Sequence, residues 1–290
     1  MGRPGVPGVS DTLHALVEYL STQTVSIQIE KNTKPLLSQH DFPIADQTTL
    51  ATQCDLIVVV GGDGSLLSAA NLALPHQIPV LGINRGRLGF LTDISPSALV
   101  KVGAVIRGHY LSEQRLLVNA VIEDTPTQSH RPALNDVVLL PGDVAHMIEF
   151  NIFVNHEFVC RQRADGLIVA TPTGSTAYAL SGGGPILHPT LSALVLVPMF
   201  PHTLSSRPIV VDGNSTVTIT ICKSNETTPY VSCDGQDRIP VHPGGKITIK
   251  KCEQSLTLIH PSDYQYFHTL RKKLGWEKHA RRPGTHAKDN

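Results

Sequence analysis

The chain contains no Gly-x-x-x-x-Gly-Lys-Ser/Thr loop, so any nucleotide it handles is bound without the lysine that clamps phosphates in that motif. It has no net charge either. The 24 basic and 24 acidic residues cancel at pH 7, leaving no global field to draw in nucleic acid or an anionic membrane, so phosphate binding would be local. No segment approaches the roughly 18 apolar residues of a membrane span, and the first twenty residues lack the apolar core of a signal peptide. A cytoplasmic protein with no membrane and no nucleic-acid partner is the expectation. Met1-Gly2 opens like a myristoylation signal, but Val6 stands where Ser or Thr is wanted. Cysteine is scarce: Cys54, Cys160, Cys222, Cys233 and Cys252 are odd in number and widely spaced, which reads as reduced, buried thiols. The 14 histidines form no metal-ligand spacing, since His156-Glu157 has no second His where a zinc helix would need one, and no dedicated metal site is expected.

What is present points to phosphate chemistry. In Leu56-Ile-Val-Val-Val-Gly-Gly-Asp-Gly-Ser-Leu-Leu67, an apolar run enters a glycine turn that carries one carboxylate, Asp63. Gly61, Gly62 and Gly64 permit positive φ and let backbone N–H groups approach an anion, while a helix starting near Ser65 adds its positive end. The negative Asp63 suits a base or metal-linked role better than a phosphate clamp. An ordinary strand-to-helix turn with a capping Asp is the competing reading. A second segment, Asp165-Gly-Leu-Ile-Val-Ala-Thr-Pro-Thr-Gly-Ser-Thr-Ala-Tyr-Ala-Leu-Ser-Gly-Gly-Gly-Pro185, is a short strand followed by hydroxyls, amides and one ring. Those groups suit an adenosine, with Tyr178 either stacking or packed beneath the turn; a polar loop without a ligand is the alternative.

With 290 residues, 41% of them hydrophobic, the chain is long enough for two cores. A helix capped by Ser10 and Asp11 carries Leu13, Leu16, Val17 and Leu20, and strands are expected at Val25 to Ile29, Asp55 to Val60 and Ile78 to Ile83. A helix opened by Ser95-Pro96 carries Leu99, Val100 and Ile106. This alternation predicts an α/β N-terminal domain over residues 1–112, a Rossmann-like parallel sheet whose ligands sit at the strands' carboxyl ends. From 113 to 260 short strands take over: Leu116 to Ile122, Asp136 to Leu140, Ile148 to Val154, Thr216 to Ile221 and Lys246 to Ile249. They predict an all-β, sandwich-like C-terminal domain with Pro141-Gly142, Asp212-Gly213 and Pro243-Gly244-Gly245 as turns. A last helix spans Asp263 to Leu274 with Phe267, Leu270 and Leu274 on one side, and residues 277–290 read as a disordered tail.

The chain resembles the bacterial NAD kinases. Gly61-Gly-Asp-Gly64, Asn84-Arg-Gly-Arg-Leu-Gly-Phe-Leu91, Asn135-Asp136, Asp165-Gly166 and Thr171-Pro-Thr-Gly-Ser-Thr-Ala-Tyr178 occur in that family's order, from about Gly2 to Trp276. The glycine turn alone is shared with diacylglycerol and sphingosine kinases and with phosphofructokinases. The Thr-Pro-Thr-Gly-Ser-Thr-Ala-Tyr run discriminates, and Val197-Pro-Met-Phe-Pro-His-Thr-Leu-Ser-Ser-Arg-Pro208 strengthens the match. The resemblance implies phosphoryl transfer from ATP, or from polyphosphate in some members, to the 2′-hydroxyl of the adenosine ribose of NAD. Asp63 would be the proton acceptor, and a divalent cation, Mg²⁺ above all, would ride on the phosphates. Asn135 matches the adenine-reading amide with Thr173 as second contact, and Phe90 would wall the adenine unless it is a core residue. Asp136 replaces the family's usual Glu, an acid one methylene shorter; it is either a ribose ligand or a strand-edge residue. Asp165 matches an acid on the nicotinamide side. Arg163 could meet a phosphate or another subunit, and His146 and Gln236 align with NAD-contacting positions. Thr176, Ala177, Tyr178, Ala179, Leu180 and Ser181 complete the implied NAD site.

The family further implies that residues 261–276 return to the first domain and that the protein is a homotetramer built from dimers. It also implies an apolar strand ahead of Gly2, so that the N-terminal segment is expected to be loosely ordered. A lipid kinase sharing the glycine turn and a non-catalytic NAD-binding sensor are the rival readings.

Overall fold

A computed structural model describes residues 1–37, 40–86, 88–123, 131–143, 146–236 and 238–276, with only the backbone of Arg131. The tail expected to be disordered, 277–290, lies outside the described residues. The chain divides into two compact units, Met1–Ala69 with Pro79–Ser112 and the chain from Leu258 in one, and Ala70–Ile78 with Glu113–Thr257 in the other.

The first unit is built on a four-stranded mixed sheet in the order Ile57–Gly61, Val80–Asn84, Leu256–Pro261, Tyr110–Arg115. Its apolar runs are buried on both faces, as a covered parallel sheet requires. Ile57 through Gly61 pair in parallel with Val80 through Asn84, and Leu258 and Ile259 pair in parallel with Val80 and Leu81. Because Gly61 stands opposite Asn84, the loops leaving the two strands emerge side by side. The Val9–Ser21 helix lays Val9, Leu13, Leu16 and Leu20 on a core shared with Val60, Leu81, Ile83, Val102 and Val105.

Several local expectations are corrected. The first helix is capped not by Ser10 and Asp11 but by Gly8, at φ 74°. A Cβ there would collide with the Arg85 guanidinium, and Ser10 Oγ instead donates to Leu36 O at 2.6 Å. The strand expected at Val25 to Ile29 shrinks to Ile29–Glu30, paired with Ile44–Ala45. A 3₁₀ turn, Pro96–Ala98, precedes the Val100–Ile106 helix; its tighter winding shifts the phase, so Val102 and Val105 face inward and Val100 is 63% exposed. In the Tyr266–Leu274 helix the buried residues are Thr269 and Leu270, while Phe267 is exposed. The start of the chain is tied down rather than loose: the Met1 ammonium donates to Val58 O at 2.7 Å and Val60 N donates to Met1 O at 2.8 Å. Burial pushes that ammonium down to about 6.

The second unit holds two six-stranded sheets. One runs Glu157–Ala164, Ile148–Val154, Val217–Ile221, Lys246–Lys251, Val118–Ile122, Arg131–Ala133; the other runs Ile209–Asp212, Ala193–Met199, Gly166–Ala170, Asp136–Leu140, Tyr230–Cys233, Ile239–Pro240. Phe150, Ile152, Ile219 and Ile247 of the first share a core with Val137, Leu139, Leu167 and Leu196 of the second, which makes a sandwich. The alternate residues of the second sheet, Val138, Ile168, Val195 and Val197, face a smaller core with Ala179 and Leu187. That sheet is therefore buried on both faces, which is why Leu167 to Ala170 read as a continuous apolar run. Glu157–Ala164 is a strand without the apolar alternation that marks one in sequence, since Phe158, Val159 and Cys160 are followed by Arg161, Gln162 and Arg163. It is an edge strand joined to Ile148–Val154 through Asn155 and His156, both at positive φ, so His156 is a hairpin-turn residue. Of the five free cysteines only Cys233 is buried; the other four are half-buried, not buried as expected.

Candidate active site

In the first unit the Ile57–Gly61 strand passes directly into the Asp63–Ala73 helix, with Ser65 N and Leu66 N both bonded to Gly62 O. The expectation of left-handed glycines here is not met: among residues at positive φ, Gly61, Gly62 and Gly64 do not occur. The backbone enters the helix without a reversal and needs none. Gly61 is required by packing, since a Cβ would strike Ser65. Gly62 and Gly64 are different, because a Cβ on either would meet nothing within 4 Å. The fold does not demand glycine at those two positions, whereas a ligand lying close against the backbone would.

Asp63 is not a free carboxylate. Phe90 N donates to its Oδ2 at 2.9 Å, Leu91 N to its Oδ1 at 3.0 Å and Thr92 Oγ1 to its Oδ1 at 3.4 Å. Asn84 Nδ2 in turn donates to Thr92 Oγ1 at 2.9 Å. A Cβ on Gly89 would collide with Asp63 Oδ1, so that glycine leaves room for the carboxylate. These bonds fix its direction. Phe90 is half-buried, and Lys273 Nζ lies 5.2 Å from its ring centroid. A cleft of about 640 Å³ also occurs in this unit, lined by Leu13, Ile27, Ile29, Leu56 and Val58 among others, but neither Asp63 nor Gly62 borders it.

In the second unit Asn135 and Asp136 lie at the start of the Asp136–Leu140 strand, beside the turn that follows Gly166–Ala170. Thr171 N donates to Asn135 O at 2.9 Å, Thr171 Oγ1 donates to Leu134 O, and a Cβ on Gly174 would collide with Asn135 O. Thr173 is buried in that turn and its carbonyl accepts from Thr176 Oγ1 at 3.1 Å. Tyr178–Ser181 is one helical turn with Tyr178 and Ser181 exposed, Leu180 and the preceding Ala177 half-buried, and Ala179 fully buried. Gln236 lies two residues beyond Asp234 and accepts from Asn71 Nδ2 at 3.2 Å.

Asp136 is 5% exposed, and its carboxyl is pushed up to about 7, first by burial and then by the charge of Asp234. The Asp234 carboxyl is also raised by burial, against the pull of three backbone N–H donors. Sequence reasoning missed Asp234 and Thr92, and it named Asn84 and Thr171 only within their motifs, without the contacts they make. The only signal for Asp234 was a lone acid in the turn Cys233-Asp-Gly-Gln236, which nothing in the pattern separates from ordinary turn chemistry.

The remaining expected residues stand elsewhere in this unit. Asp165 precedes the Gly166–Ala170 strand, so about six residues of extended chain, roughly 20 Å, separate it from Thr171. Arg163 is on the edge strand, exposed, opposite Glu149, and the exposed His146 enters the strand whose first residue, Ile148, pairs with Ala164. His146, Arg163 and Asp165 thus form one group, and Asn135, Asp136, Thr173 and Gln236 another at the opposite end of the strands. Among the described residues no group of three or more His, Cys, Asp or Glu could hold a metal ion, and no helix is long and apolar enough to cross a membrane.

Residues 11–110 match the ATP-NAD kinase N-terminal domain and residues 134–261 the ATP-NAD kinase C-terminal domain. The chain is 56% identical over 281 residues to an NAD kinase of Coxiella burnetii, covering 97% of this chain and 94% of that one. It is 53% identical to an NAD kinase of Chromohalobacter salexigens, covering 95% of each. Among solved structures, a yeast NADH kinase complexed with NADH superposes with a TM-score of 0.86 at 25% identity, over 98% of this chain and 89% of that one. An NAD kinase from Archaeoglobus fulgidus in complex with ATP gives a TM-score of 0.69 at 29% identity, over 84% and 98%.

Proposed function

The chain belongs to the NAD kinase family, and on that premise we propose that it transfers the terminal phosphoryl group of ATP to the 2′-hydroxyl of the adenosine ribose of NAD, giving NADP and ADP. It is a phosphotransferase with an alcohol as acceptor. The observation that carries this reading is the Asp63 carboxylate, held beyond the carboxyl ends of two parallel strands by the Phe90 and Leu91 amides beside two glycines the fold itself does not need.

A ribose hydroxyl is a weak nucleophile at neutral pH. As the bond from O2′ to the γ-phosphorus forms and the bond from that phosphorus to the β,γ-bridging oxygen breaks, the hydroxyl proton passes to Asp63 and ADP departs. The donor is ATP with its Mg²⁺. Asp63 is the one carboxylate of this loop and already accepts two amides, so a bound Mg²⁺ would be held mainly by the nucleotide and would supply charge neutralisation there. Gly62 and Gly64 leave the backbone open to phosphate oxygens. Asn135 and Thr173 read the adenine, Asp136 takes a ribose hydroxyl, and the Thr176–Ser181 turn and Gln236 of the same unit complete the adenosine side. His146, Arg163 and Asp165 serve the nicotinamide side. The reading includes a cytoplasmic location and a homotetramer of dimers. The lipid-kinase and silent-sensor alternatives draw no support from relatives that carry the kinase name.

The test is NADP formation by the purified chain from NAD, ATP and Mg²⁺, with each omitted in turn and with polyphosphate or NADH substituted. No NADP from the complete mixture overturns the reading. Asp63→Asn should lower turnover by at least about 10²-fold while NAD still binds, since general-base help is worth about 10² to 10⁴. Near-normal turnover would remove Asp63 from the base role.

A further inference from the structure

Three consecutive backbone amides converge on one side chain. Asp234 Oδ2 accepts from Leu134 N at 2.8 Å, and its Oδ1 accepts from Asn135 N at 2.8 Å and Asp136 N at 3.1 Å. Such a run of N–H groups makes an anion-binding nest, and here the anion is internal. The carbonyls of the same three residues are also taken: Leu134 O by Thr171 Oγ1, Asn135 O by Thr171 N and Asp136 O by Asp234 N at 3.0 Å. Asp234 and Thr171 therefore satisfy all six backbone polar groups of Leu134–Asp136. The Asn135 side-chain amide makes no hydrogen bond among the described residues. Asp234 reaches this position from a turn in which it and Gly235 both have left-handed φ, 50° and 70°, a conformation Asp tolerates better than most residues.

We propose that Asp234 is a positioning residue for NAD: by filling the nest, it fixes the backbone from which the Asn135 amide and the Asp136 carboxyl reach the adenosine. A segment with every backbone group bonded cannot rotate to suit the ligand, so the recognition geometry exists before binding and little ordering cost remains. Thr171 is the second jaw of the clamp. The inference rests on the proposed kinase reading for its ligand.

Three variants test it. Asp234→Asn keeps shape and one acceptor oxygen but turns an NH₂ group toward one of the amides. Asp234→Gly empties the nest without straining the left-handed turn, and Asn135→Ala removes the reading amide. NADP formation by the wild-type chain is measured first, because its failure strikes the kinase reading alone. Hydrogen exchange then reads the clamp without any ligand: in Asp234→Asn the amides of residues 134–136 should exchange at least about tenfold faster while those of Val137–Leu139 stay protected, and unchanged exchange overturns the proposal.

In kinetics, Asp234→Asn should raise KM for NAD about tenfold, with kcat and KM for ATP within about twofold of wild type; tenfold corresponds to about 1.4 kcal/mol. Combined with Asn135→Ala it should add little, as two changes to one interaction do. Formate should restore part of the NAD affinity of Asp234→Gly by occupying the vacated nest. Fully additive losses, equal effects on both substrates, or no response to formate would make Asp234 a general stabiliser and overturn the positioning role.

Discussion

Asp136 shows how the surroundings set the state of a single residue. Its carboxyl ionises in the unfolded chain near the ordinary value of 3.8 and in the folded chain only near about 7, because burial and the Asp234 charge oppose the anion. Between those values the folded protein holds a proton the unfolded chain has released. The stability linked to it is complete below the lower value and is lost as pH rises through the upper one, by at most about 1.4 kcal/mol per pH unit. Asp136→Asn abolishes this titration, so the melting temperature of the variant relative to wild type should climb between pH 4 and pH 7 and level off above. Parallel curves across that range would show that the carboxyl ionises normally. A ribose hydroxyl donating to Asp136 favours its anion, so NAD binding near pH 7 should release protons, which calorimetry in buffers of different ionisation enthalpy detects.

At the scale of elements, the glycine loop separates what folding needs from what chemistry needs. Gly62→Ala and Gly64→Ala place a methyl in open space, and Gly64 lies in the helix, where Ala is favoured by up to about 1 kcal/mol. Both variants should melt at or above the wild-type temperature yet lose at least about tenfold in kcat/KM, because the added methyl stands where phosphate oxygens approach. Gly89→Ala should behave in the opposite sense: its Cβ would displace the Asp63 carboxylate, so activity and thermal stability fall together. A Gly62→Ala protein with full activity would mean that no ligand comes close to that backbone. The Asp136–Leu140 and Gly166–Ala170 strands make a similar point, since one face fills the sandwich and the other supports the turn that carries Thr173 and Tyr178. Their rigidity fixes the recognition edge.

Across the whole molecule the two units have separate cores, one around Leu81, Ile83 and the Val9–Ser21 helix, the other around Phe150, Ile152 and Leu167. Phe150 is among the largest fully buried side chains, and Phe150→Ala should cost about 3 to 5 kcal/mol, measured by denaturant unfolding. All 5 cysteines are free, so reductant should leave the melting temperature unchanged and denatured protein should take up 5 alkyl groups without prior reduction.

Sequence by itself determined the α/β and all-β classes, two of the four strands in the first unit's sheet and six of those in the second unit, because apolar periodicity and glycine turns are local properties. It also singled out Asp63 and the Thr171–Tyr178 run, whose composition suits a nucleotide. Tertiary structure alone decided the rest. Glu157–Ala164, which lacks a clean apolar alternation, became a strand through its neighbour on a sheet edge, and Gly8 displaced Ser10 as a cap because Arg85 packs over it. The partners of Asp63 lie 27 to 29 residues away and those of Asp234 98 to 100, distances at which a local pattern carries no information. Hydrogen bonds across such separations exist only once the chain has closed, so the orientation of the Asp63 carboxylate and the bonding of the Leu134–Asp136 backbone belong to the fold and not to any segment of sequence.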